Sequence, residues 1–74
     1  MSESDEQALL ETFSMIVREA ESLQGRLNEQ LVAFSPERYP KNGTRLECLV
    51  QSLEGVAAMA ELAARHVNDE SAYV

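Results

Sequence analysis

Residues 35–47, Ser35-Pro36-Glu37-Arg38-Tyr39-Pro40-Lys41-Asn42-Gly43-Thr44-Arg45-Leu46-Glu47, decide the fold of this 74-residue chain, because they separate two long apolar repeats. Pro36 disfavours the α conformation at Ser35 and so ends the helix that precedes it. Ser35-Pro36-Glu37-Arg38 also reads as a fresh cap with proline at the first helical position, which leaves room for one short turn before Pro40 ends it. Asn42-Gly43 is a turn signal. Thr44-x-x-Glu47 then forms a capping box, in which hydroxyl and carboxylate each answer an orphan backbone N–H at the head of a second helix.

Working outward, the first half places Leu9, Phe13, Ile16, Ala20, Leu23, Leu27, Leu31 and Phe34 at steps of three and four, with Leu10 and Val17 widening one flank. That spacing keeps one stripe on one side of a helix. Ser4-x-x-Gln7 is a capping box, and Asp5 and Glu6 fall in the first turn, where the helix dipole favours negative charge. The reading is a helix over 5–34, with Gly25 an exposed glycine costing about 1 kcal/mol relative to alanine. The second half repeats the pattern with Leu46, Leu49, Leu53, Val56, Ala60, Ala63 and Val67, giving a helix over 44–67. The fold class is all-α: one domain, 1–74, built as an antiparallel two-helix hairpin. Residues 1–4 and 68–74 are expected to fray, with Tyr73 able to fold back. The core between the helices is expected to comprise Leu9, Phe13, Ile16, Leu23 and Leu27 against Leu46, Leu49, Leu53, Val56 and Ala60.

A chain this short buries only about 60% of its unfolded surface. Small domains make up the shortfall with disulfides, a metal or another chain. Cys48 is the only cysteine and His66 the only histidine, so neither an internal disulfide nor a cysteine/histidine zinc site can be assembled. A partner chain is what remains, completing a helical bundle. Helix 2 carries the stronger sign of one. Beyond its stripe, and nearly opposite it, Cys48, Ser52, Gly55, Met59, Leu62 and His66 form a second strip of small or apolar residues. Glu47, Gln51, Glu54, Glu61 and Arg65 are confined to an arc of roughly 80°. A helix so widely apolar is not satisfied by one neighbour, whereas helix 1 reads as an ordinary amphipathic helix. The second strip is therefore the expected partner-binding surface.

The formal charge of −7 excludes several functions. Only the middle is locally positive, with Arg38, Lys41 and Arg45 against Glu37, too few cations to track a phosphate backbone, so no nucleic acid is expected. No apolar run approaches the ~20 residues needed to cross a bilayer, so no membrane insertion is expected. The N-terminal Met1-Ser2-Glu3-Ser4-Asp5-Glu6 is acidic and unlike a secretion signal, and the unpaired cysteine fits a reducing compartment, which together predict a cytoplasmic protein. Two helices make no pocket in which titratable groups converge, so the chain is not expected to be an enzyme, nor to take a cofactor or metal. Glu47, Glu54 and Glu61 read as a solvated edge, His66 as a residue near the last carbonyls of helix 2, and Cys48 as a small packing residue. The terminal Ser71-Ala72-Tyr73-Val74 lacks the hydroxyl residue expected of a PDZ ligand.

Pro36-Glu37-Arg38-Tyr39 in the connector and Ser52-Leu53-Glu54-Gly55 in helix 2 resemble the small E-type co-chaperones of type III secretion needle subunits, the YscE family. These are hairpins of similar length with a Pro-Glu-Gln-Tyr-like connector and a Leu-Glu-Gly-like step. The resemblance covers residues 27–67, and Pro40-Lys41-Asn42-Gly43 stand as extra residues where the family runs straight on into helix. It implies a hairpin that packs on a tetratricopeptide-like partner, the pair keeping a polymerising needle subunit soluble before export. The alternative is a homodimeric four-helix bundle, the chain paired with itself, acting as a small regulator such as an anti-activator or a phage or plasmid modulator.

Overall fold

A computed structural model describes residues 2–69. Two helices, α1 over Glu3–Ala33 and α2 over Asn42–Arg65, pack against each other as an antiparallel hairpin, with no strand among the described residues. Their 31 and 24 residues correspond to about 46 and 36 Å of helix. The molecule measures 55 × 17 × 12 Å, one helical layer thick.

Both helices begin earlier than the sequence suggests. Ser2, not Ser4, caps α1: its backbone is extended and its Oγ accepts from Asp5 N–H at 3.1 Å. Ser2-x-x-Asp5 competes with Ser4-x-x-Gln7 and wins by adding a turn whose acids, Glu3, Asp5 and Glu6, all sit at the positive end of the dipole. Residues 3 and 4 are therefore helical rather than frayed. In α2 the Thr44 capping box does not form. Lys41 is the N-cap, already in the α region and with no side-chain cap bond, so Thr44 lies inside the first turn.

The connector is compact. Arg38 and Tyr39 N–H both donate to Ser35 O, at 3.1 and 2.7 Å, which is the short turn that Ser35-Pro36 foretells. Tyr39 precedes Pro40 and so resists the α conformation, yet its carbonyl accepts from Gly43 N–H at 2.8 Å, leading the chain almost directly into α2. Asn42-Gly43, expected as a turn, is thus the first part of the helix. Phe34 and Tyr39 meet edge to face with centroids 5.2 Å apart, and Arg38 lies 5.9 Å from the Tyr39 ring centre.

Gly43 is buried for a reason the turn reading missed. A Cβ there would stand 2.6 Å from both Pro36 Cα and the Ser35 carbonyl carbon, so α2 and the connector touch backbone to backbone. Gly25 and Gly55 have open space around them. At the other end His66 closes α2, its N–H shared between Leu62 O and Ala63 O. Asp69 N–H turns back to His66 O at 3.1 Å, so residues 68 and 69 form an ordered turn rather than a frayed end, while 70–74, with Tyr73 and the terminal valine, lie outside the described residues.

The seam between the helices is rotated from the expected one. Facing inward are Leu10, Phe13, Ile16, Val17, Ala20, Gln24, Leu27 and Leu31 from α1, and Leu46, Val50, Leu53, Ala57, Ala60, Ala63 and Ala64 from α2, with Val67 just beyond it. Leu9, Leu23, Leu49 and Val56 are exposed and not part of the core. Each helix carries a central column with an apolar flank on either side, and both flanks obey the same three-four spacing. The hairpin packs the smaller flank, where Val50, Ala57 and Ala64 let the two backbones approach, and where Gln24 Nε2 reaches Val50 O at 3.5 Å. Only Ala20 and Ala60 are buried hydrophobics among the described residues, and no large side chain is fully enclosed.

Candidate functional site

Rotating the seam leaves the larger apolar flanks on one side of the hairpin. Leu9 and Leu23 of α1 and Leu49, Val56, Met59 and Leu62 of α2 are between 38% and 70% exposed. Between the helices on this side runs a shallow trough of about 690 Å³, lined by Phe13, Ile16, Ser52, Gly55, Val56, Met59, Ala60 and Ala63, without a charged residue. The opposite side differs in chemistry. Its concavity is lined by Gln7, Leu10, Glu11, Ser14, Val17, Arg18, Glu61 and Ala64. A third, at the open end, has Glu3, Glu6 and Arg65 in its wall.

The six residues expected to bind a partner are all exposed. Ser52, Gly55 and Met59 line the trough, while Cys48, Leu62 and His66 lie further round α2. They lie on the side of α2 turned away from the seam, with Ser52, Gly55 and Met59 reaching round to the trough. The seam falls on the Val50–Ala57–Ala64 flank, so Leu49 and Val56 bridge the strip to the trough. Helix 1 is not the satisfied element either: Leu9 at 38% and Leu23 at 48% exposed belong to the same face. Phe13, Ile16, Val56, Ala60 and Ala63 also line the trough, although the sequence assigns them to the stripe between the helices. The signal for them was the paired flank in each repeat.

Fully burying a leucine, valine or methionine stabilises by about 1.5–3 kcal/mol, so each half-exposed member of this face retains about 1 kcal/mol for a covering surface. An exposed ion pair offers about half that. Apolar contact, not charge, is therefore the main driving force this face can supply.

The titratable groups show no comparable convergence. His66 Nδ1 lies 3.3 Å from Asp69 Oδ2 with both side chains exposed, Cys48 is an exposed free thiol, and no group of three potential metal ligands occurs among the described residues. No helix of the described residues is long and apolar enough to cross a membrane. No family model, curated protein or solved structure matches the chain.

Proposed function

We propose that the chain is a protein-binding hairpin, not an enzyme, whose apolar face packs on a helical partner in the cytoplasm. The carrying observation is that Leu9, Leu23, Leu49, Val56 and Met59 are exposed together on one side, around an uncharged trough. A helix or helical pair fits such a surface by laying its own apolar stripe along it.

Within that reading the partner class is the one implied by the YscE-like residues: a tetratricopeptide-like protein, with which the hairpin holds a needle-type subunit soluble before export. Pro40–Gly43, which depart from the family's connector, do not interrupt the hairpin, because Tyr39 O and Lys41 O already accept helical bonds from Gly43 and Arg45. Co-expression with a candidate tetratricopeptide-like partner is the test. A stable complex on size exclusion, in which the needle-type subunit stays soluble, is expected. A chain recovered free of that partner at micromolar concentrations would remove the co-chaperone assignment.

A further inference from the structure

The apolar face has a charge at each end. On α1, Asp5 shares the helical side of Leu9 and Ile16, at steps of four and seven. On α2, Arg45 shares the side of Leu49, Ser52 and Val56, at steps of four, three and four. The hairpin is antiparallel but its connector is at one end only, so Asp5 marks the open end and Arg45 the connector end of the same face. The surroundings match. Around the connector stand Arg38, Lys41 and Arg45 against Glu37, while residues 2–11 carry Glu3, Asp5, Glu6 and Glu11 and no base. Between the two ends the trough is uncharged.

From this we infer that, when its helical partner is absent, the face is covered by a second copy of the chain laid antiparallel, connector end to open end. This rests on reading the apolar face as a docking surface, and adds to it an occupant and a direction. A parallel pair would set like charges against each other at both ends. The antiparallel pair sets Arg45 of each copy near Asp5 of the other, and brings the two troughs together along their length. In projection the face covers roughly 600 Å², from the 17 Å width and the length of α2, the same order as the about 800 Å² per partner in a standard interface. The result is a four-helix bundle with a two-fold axis through the middle of the trough. Because the proposed partner uses the same face, the pair and that complex exclude each other.

Two measurements on the purified, reduced chain test this. Light scattering over a dilution series should show a dimer that Arg45→Glu weakens about five-fold at low salt, from two exposed pairs per dimer, and that Arg45→Glu with Asp5→Lys restores. A spin label on Cys48, eight residues from the centre of the α2 part of the face, should report its twin about 25 Å away, whereas a parallel pair places the labels within about 15 Å. A monomer throughout, short label distances, or a double reversal that fails to restore the dimer would overturn the antiparallel pair. A monomer that nonetheless captures a helical partner in co-expression removes the pair and leaves the docking face. A chain that does neither removes both.

Discussion

The two sides of the hairpin share one set of helices and one seam, yet they differ in what they present. One side offers Leu9, Ile16, Leu23, Leu49, Val56 and Met59. The other offers Gln7, Glu11, Arg18 and Glu61. A monomer stabilised for its own sake would turn the larger side chains inward. This one packs Ala20, Ala57, Ala60, Ala64 and Gln24 inward beside Leu10, Leu27, Leu31, Leu46 and Leu53, and leaves Leu9, Leu23, Leu49 and Leu62 outside. The contrast indicates a seam suited to close approach, and an apolar outer face left free for the docking proposed above.

The largest effect is expected from placing a charge on each side in turn. Met59→Arg should weaken association with the partner, or with a second copy, by about 100-fold, because the guanidinium must be desolvated in an uncharged trough. The circular dichroism of the free chain should barely change, since Met59 is 70% exposed. Glu61→Arg on the opposite side should leave association within about three-fold. Equal losses from the two variants would erase the distinction between the faces.

Neighbouring leucines give a finer test. Leu10 faces the seam and Leu9 does not, although they are adjacent. Leu10→Ala should destabilise the isolated hairpin by about 1–2 kcal/mol, discounted from the usual range because the site is only half buried. Leu9→Ala should cost the isolated hairpin less than about 0.5 kcal/mol and show its effect in binding instead. Urea unfolding of a non-associating background such as Met59→Arg measures the first, and titration calorimetry the second. The reverse ranking in urea would restore the Leu9 seam.

The smallest effects concern glycines. Gly25→Ala and Gly55→Ala each add a methyl into open space within a helix, so each should raise the stability of the isolated hairpin by up to about 1 kcal/mol in thermal melts. Only Gly55→Ala, in the trough wall, should also weaken docking. Identical docking for both would mean that the trough wall is not in contact.

These tests bear on what the residues alone reveal. Two helices, their antiparallel order and the short turn at Ser35-Pro36 are legible, because three-four spacing and proline act locally. The choice of seam is not. Leu9–Ile16–Leu23 and Leu10–Val17–Gln24 satisfy the same period, and hydrophobicity alone favours the first. What decides is how closely two backbones approach, a property of the pair. The same holds for Gly43: as a letter it signals a turn, and only the packed connector reveals a helical residue with no room for a side chain. Of the exposed apolar residues, those on α2 are legible from its wide apolar arc, whereas Leu9 and Leu23 on α1 emerge only once the seam has turned.

Gly43 has a mechanical consequence. At the connector end α2 meets the connector backbone on backbone, with no side chain to compress. At the open end Leu10, Ala64 and Val67 border a concavity open to solvent. The hairpin is expected to be stiffer at this contact than at its open end, like tongs. A change of splay about that contact would widen or narrow the trough without melting either helix.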